Sequence, residues 1–377
     1  MTQLKVLIAS IFLTLFACGP SSDHRTSASQ SPTASQEKPH ALTKPARPSF
    51  NYAHGRINQV LVVADSSLWL GMPGDSLFYY FTAPYILLPQ PEPIFDVTHI
   101  TPEALSVHPA KKEFRTIVFL ADLNDENSLT SRLVRADLGG EKILEIKRGK
   151  SYNTTIGQDK WARSQLLFYI SGFGEDKLVE NIAVNFPAIA KRINDKDAET
   201  VEATAYQAGR NPDLEADLMA KFGVRMRVPG NFRRAKFDEK NNVIWLRSDE
   251  REIIANILVT KVPYTDKAQL TKEGIKKLRD QAGKIITTRQ PDTYMRINDV
   301  DLPLFVENKQ LNNVYTVQAR GIWDIVNDFM GGPFITHLML NPVTNELVLV
   351  DGFIYAPSKD KRNHMQEMEL IVSTARF

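Results

Sequence analysis

A single cysteine, Cys18, occurs in 377 residues. No disulfide can staple this fold from within, so its body must be held by buried apolar surface. Cys18 also stands where a lipoprotein signal peptide would end. Lys5 supplies a basic start, and residues 6–17 are almost wholly apolar. That run is too short for a bilayer, which needs roughly 20 residues. Leu15, Phe16 and Ala17 precede the cysteine and Gly19 follows it. Phe16 is bulkier than usual for such a box, whereas the small Ala17 suits a signal peptidase. Residues 1–17 are therefore expected to be removed and Cys18 to carry a lipid. Gly19 in place of an acidic residue points to an outer-membrane destination. With only Asp23 nearby, the periplasmic face is favoured over the cell surface.

Residues 18–50 are rich in Ser, Thr, Pro, Gln and Ala. Such a stretch cannot bury enough apolar surface to offset its ordering entropy, so it reads as a tether. Pro39, Pro45 and Pro48 stiffen its far end. His24 and His40 lie in it and read as solvated rather than metal-binding. Hydrophobic residues make up 43% of the chain and charged ones 24%, an ordinary globular balance. The net charge is +2, and loss of Lys5 with the signal brings it to +1. Nothing in that balance favours nucleic acid or an anionic membrane surface. After residue 17 no segment is apolar enough to span a bilayer, leaving the lipid as the membrane contact.

The body, residues 51–377, has room for two domains or one large one, and reads as two. In the first, residues 51–210, short apolar runs read as buried strands. They are Gln59-Val60-Leu61-Val62-Val63-Ala64, Thr116-Ile117-Val118-Phe119-Leu120 and Leu166-Leu167-Phe168-Tyr169-Ile170. Gly71 and Pro73 mark a turn, and Asp75 reads as the N-cap of a helix over 76–81. Alternating Pro89, Pro91 and Pro93 force an extended segment. Beyond Gly174, Leu178, Ile182, Phe186, Ile189 and Ile193 share one helix face, which Pro187 is expected to break or kink. The polar stretch 207–213 is read as the boundary.

The second domain, residues 211–377, opens with the alternating strand pattern Val224-Arg225-Met226-Arg227-Val228-Pro229. Residues 243–247 and 253–262 follow as strands. Thr271 caps a helix with Ile275, Leu278, Ala282 and Ile285 inward. Extended segments centre near Leu304, Val317, Leu338 and Leu349, the last two joined by a turn at 342–345. A final helix turns Met365, Met368, Val372 and Ala375 inward. The fold class is therefore α+β: a mixed α/β part, then an antiparallel sheet with helices on one side. The order of elements resembles that of the photosystem protein PsbP and the import factor Mog1.

Several short motifs occur in sequence: Gln59-Val60-Leu61-Val62-Val63, Pro73-Gly74-Asp75, Leu88-Pro89-Gln90-Pro91-Glu92-Pro93 and Val243-Ile244-Trp245-Leu246-Arg247. Arg320-Gly321-Ile322-Trp323, Met330-Gly331-Gly332-Pro333-Phe334 and Gly352-Phe353-Ile354-Tyr355-Ala356-Pro357 complete the series. The ensemble resembles the domain-of-unknown-function 4837 family of Bacteroidetes-type lipoproteins across the whole body. That resemblance implies an envelope lipoprotein and carries no catalytic residue with it.

Three local patterns bear on chemistry. Gly74-Asp75-Ser76-Leu77 spells the GDSL esterase signature. The nearest late Asp-to-His pair, Asp360 and His364, is one residue too widely spaced, and no oxyanion site is evident. In the last hairpin, a four-residue turn sets His337 opposite Val350 and Asp351 opposite Thr336, on opposite faces. Only a one-residue slip would make them a dyad. Gly331 and Gly332, with Trp323 upstream, offer a backbone open to an anion, but no helix start follows; a tight turn with Trp323 in the core fits better. Lys272, Lys276, Lys277 and Arg279 read as a basic, solvated helix face, and no residue cluster has metal-ligand spacing.

These observations favour a non-enzymatic envelope module that binds an unknown protein or ligand without cofactor, metal or nucleic acid. Its candidate surfaces are the segment of Pro89, Pro91 and Pro93 and the region of Trp323, Gly331 and Gly332. The rival is a periplasmic serine hydrolase using Ser76.

Overall fold

The computed structural model describes residues 51–86, 88–149, 154–250 and 253–377. The expected signal, Cys18 and the tether lie outside the described residues. Phe50–Phe377 forms one compact unit.

Its first part runs β1 (Gln59–Val63), α1 (Ser66–Trp69), α2 (Met72–Phe81), β2 (Asp96–Ile100), α3 (Pro102–Val107) and α4 (Pro109–Lys112). It continues through β3 (Thr116–Asp122), α5 (Leu129–Lys147), β4 (Thr154–Gln158), β5 (Leu166–Gly172) and α6 (Glu175–Ala205). The sheet order is β2-β1-β3-β5-β4. The strands are parallel except β4, which pairs antiparallel with β5. β3 and β5 are continuous apolar runs because helices cover both faces. Leu77 and Phe81 of α2 and Leu178, Ile182, Ile189 and Ile193 of α6 fill one side. Leu105 of α3 and Val134, Ile143 and Ile146 of α5 fill the other. The three expected strands became β1, β3 and β5. β2 and β4, with weaker apolar signals, are not marked by such runs.

Two local expectations need correction. α2 begins at Met72 after the extended N-cap residue Gly71, with Pro73 near its start. Asp75 therefore lies inside the first turn, where its charge suits the helix dipole, and is not the cap. α6 is a single 31-residue helix that runs through Pro187. The bond lost there is outweighed by packing on both sides, since Leu178, Ile182, Ile189 and Ile193 belong to one core.

The second part runs α7 (Pro212–Phe222), β6 (Arg233–Asp238), β7 (Val243–Glu250), β8 (Ile253–Pro263), α8 (Lys272–Gly283), β9 (Met295–Asn298) and β10 (Phe305–Leu311). β11 (Val314–Ile325), β12 (Gly331–Asn341), β13 (Glu346–Tyr355) and α9 (Arg362–Ser373) complete it. The sheet order is β10-β11-β12-β13-β8-β7-β6, with β9 also paired to β11. Every pairing is antiparallel. The α+β class holds. Helices, however, cover both faces of this sheet rather than one. Leu214, Leu218 and Phe222 of α7 and Met365, Met368 and Val372 of α9 pack on Ile257, Val259, Val348 and Val350. Ile275 and Ala282 of α8 pack on Leu258, Leu347 and Leu349. The central strands are apolar on alternate residues both ways, so each face needs a cover.

Residues 224–228 show the expected alternation, with Val224, Met226 and Val228 buried. They join no sheet and make only isolated bridges, Arg225 to Arg376 and, just beyond them, Pro229 to Arg210. The adjacent edge strand is the exposed, charged β6, whose sequence carries no apolar alternation. Thr271 caps α8 by accepting from Gly274 N, as expected.

The halves are locked together by polar contacts. Glu92 accepts from the backbone N–H groups of Lys361 (2.6 Å) and Arg362 (2.9 Å), capping α9 from the other half. Arg362 donates to Pro93 O (2.6 Å) and pairs with Asp96 (2.8 Å). Asn58, held at φ 62°, donates to Asn363 (2.9 Å) and Gln366 (2.8 Å). Leu88 meanwhile sits in the core of the antiparallel half. The proline-rich segment is thus a strap between the halves.

Candidate functional site

A doubly wound parallel sheet offers a crevice beyond the carboxyl ends of its strands, where neighbouring connections leave toward opposite faces. Here that point lies between β1 and β3. It is filled by the chain itself. Asp65, following β1, accepts from Ser128 Oγ and from Thr130 N (3.3 Å) at the start of α5. Asp122, ending β3, accepts from Asn124 N and Gly174 N, both at 2.8 Å. A carboxylate thus occupies the helix N-terminus where a bound phosphate would sit in other folds of this kind.

Ser76 lies in α2, and Gly74 beside it has a packing role. A Cβ on Gly74 would come within 1.8 Å of Trp69 O, so glycine is what lets α1 and α2 close together. Ser76 is not among the described residues lining the cavity that holds Asp360 and His364. The GDSL letters are accounted for by helix packing.

The register of the last hairpin is as expected: Thr336 faces Asp351 and His337 faces Val350. Their side chains lie on opposite faces and form no dyad. His337 is 1% exposed, bonds through Nε2 to Gln318 Oε1 (3.0 Å), and is pushed down to about 3 by burial. It is a neutral core histidine rather than a surface one. Asp351 has an unexpected partner in Arg279 of α8, both fully buried. Arg279 Nε donates to Asp351 Oδ1 (3.0 Å), and Thr336 Oγ1 adds a 2.6 Å bond. Burial raises the Asp351 carboxyl above its ordinary range, and Arg279 acts against that rise. Arg279 Nη1 lacks an acceptor, but its guanidinium lies 3.6 Å from the centroid of the Phe334 ring. The reading of Arg279 as a solvated basic residue is therefore corrected. A charge one turn from Ile275 looks solvated in sequence, and only the strand beneath supplies its partner.

Trp323 is buried at 3% exposure and donates from Nε1 to Ile354 O (3.2 Å). A Cβ on Gly332 would come within 2.2 Å of the same carbonyl. Gly331 and Gly332 begin β12 after a turn, and the pair serves strand packing rather than an anion. Of the strap prolines, Pro91 is exposed while Pro89 and Pro93 are partly covered by their own molecule. Trp323 is thus enclosed in the core, whereas Pro91 and Pro93 stand on the wall of a cleft.

A cleft of about 1280 Å³ lies between the halves. Its walls are the strap at Pro91 and Pro93, the end of α6 at Thr204 and Ala205, the β7–β8 edge at Glu250 and Ile253, and α9 from Arg362 to Ile371. On α9, His364 and Glu367 face one another across one turn, Nδ1 to Oε1 4.0 Å. Burial pushes Glu367 up to about 7, with Glu250 adding like-charge repulsion. Burial also holds His364 below its ordinary value, against the pull of Glu92 and Glu250. This trio was missed in sequence. In the sequence His364 stands out only beside Asp360 and the distant Ser76. The i, i+3 spacing of His364 and Glu367 was the available signal, but Glu250 is brought in from another strand.

A parallel α/β half strapped to a two-faced antiparallel sheet defines the class, an α+β protein with a cleft at the join. Residues 211–374 match the family model described as a domain of unknown function, DUF4837, and the chain's second half belongs to that family. Residues 53–205 match another domain of unknown function, DUF8532. The motifs at Gln59–Val63, 73–75 and 88–93 fall in this second match, so the DUF4837 likeness is narrower than the whole body. No curated protein matches the chain.

Proposed function

We propose that this is a lipoprotein anchored through Cys18 to the outer membrane on its periplasmic side. Its body acts as a non-enzymatic binding module, with the cleft between the halves as the recognition site. The observation that carries this reading is the cleft itself, about 1280 Å³ and walled by both halves. Ligand sites favour such joins. Against the rival hydrolase stand the helical, packing-bound setting of Ser76 and the separation of His337 from Asp351 by the sheet. The direct test is in-cell crosslinking and pull-down of the full chain beside Cys18→Ala and Ile253→Arg, which puts bulk and charge into the cleft. The expected result is an envelope partner or ligand recovered with the native chain and lost with Ile253→Arg. Recovery unaffected by Ile253→Arg would remove the cleft from the reading.

A further inference from the structure

The cleft is unevenly charged. Among the described residues, six carboxylates line it beside three lysine or arginine side chains, Arg56, Lys359 and Arg362. Much of the negative charge is already committed within the protein. Asp96 pairs with Arg362, Glu92 caps α9, and Asp249 is bound by Arg247 at 2.5 Å. Glu250 and Glu367 are different. Glu250 accepts from the neutral amide of Asn231, and Glu367 has the part-buried His364 as its nearest basic group among the described residues. No lysine or arginine among the described residues offsets the rise in the Glu367 pKa. The C-terminal end of the 31-residue α6, its negative pole, also borders the space. Phe232, Ile253, Met368 and Ile371 give the same cleft an apolar lining. Among the described residues no group of three or more acidic, histidine or cysteine side chains is placed to hold a metal ion.

Resting on the binding reading above, we infer that the cleft takes an organic cation: ammonium or guanidinium groups on an apolar body, seated between Glu250 and Glu367. A cation entering there supplies positive charge that the described residues do not place beside Glu367, while its methylenes cover the apolar wall. Binding to the ionised Glu367 displaces a proton from a group that is half protonated near neutral pH. Affinity therefore rises with pH. The groups facing Glu367 are His364 on its own helix and Glu250 from β7, with Glu92 of the strap acting on His364.

The probes are tetralysine and spermidine, titrated calorimetrically into the detergent-solubilised full chain at pH 6 and pH 8, with tetraglutamate as control. Saturable binding about tenfold tighter at pH 8 is expected for one carboxyl titrating near 7. Whichever cation binds tighter identifies the source as peptide or polyamine. Glu367→Gln should bring the ratio close to one, and Glu250→Gln should weaken binding at both pH values. His364→Asn should leave the ratio intact. No saturable binding of either cation, equal binding of tetraglutamate, or an unchanged ratio in Glu367→Gln would overturn the inference. If both cations fail while the Ile253→Arg pull-down still loses a partner, the ligand class is wrong and the binding module stands. If cations bind as expected but no partner depends on the cleft, the cation site stands and the envelope role falls.

Discussion

The two faces of the antiparallel sheet treat buried charge in opposite ways. On the α8 face, Asp351 is fully enclosed and answered by Arg279, Thr336 and the Phe334 ring. On the α9 side, Glu367 is less deeply buried, stands on the wall of a cleft, and among the described residues meets His364 and the like-charged Glu250. A charge matched inside the chain is already engaged, and removing one partner leaves the other buried and uncompensated. A charge left unmatched beside open space is available to something from outside. The crevice of the parallel sheet belongs with the first kind, since Asp65 and Asp122 are consumed by backbone and hydroxyl donors.

The comparison is sharpest if breaking the matched pair is costly and neutralising the unmatched group is not. Arg279→Met should lower stability to urea by about 3–5 kcal/mol, because Asp351 is then buried without a counter-charge. Arg279→Met with Asp351→Leu should recover much of that loss. A smaller cost, about 2–3 kcal/mol, is expected for Arg362→Ala, which removes charged hydrogen bonds to Asp96 and Pro93 at the join. Its thermal melt should separate into transitions of the two halves.

Glu367→Gln should have the opposite sign. The native carboxyl titrates near 7, above its ordinary 4.5. The folded state therefore holds a proton that the unfolded state has lost between those values. Stability from this group is present below about pH 4.5 and is lost as pH rises through 7. The variant should gain about 2 kcal/mol at pH 8 and flatten that fall, as read from urea midpoints across pH. The smallest effect belongs to Ser76→Ala, expected to stay within about 0.5 kcal/mol. A large change in melting, or loss of hydrolysis of a chromogenic ester, would reopen the serine reading.

Much of the fold was legible from local pattern. Continuous apolar runs marked β1, β3 and β5, because strands covered on both faces need apolar side chains throughout. Turn length fixed the register of the last hairpin, with Leu340 opposite Leu347. Local pattern failed where a partner was distant or the strand exposed. β6 bears charge along its length, as an edge strand does. Pro187 reads as a break until the two packed stretches around it are seen to share one core.

The sequence by itself determined the α+β class, the strand periodicity, the cap at Thr271 and the dependence of this cysteine-poor body on its buried core. Those properties follow from interactions within a few residues or from composition. Only the tertiary structure decided that Arg279 is a core residue, that Glu92 caps a helix about 270 residues away, and that Glu250 stands beside Glu367. Each depends on which distant charge arrives at a given place, and electrostatic fate is set by neighbours in space and by exclusion of water rather than by neighbours along the chain.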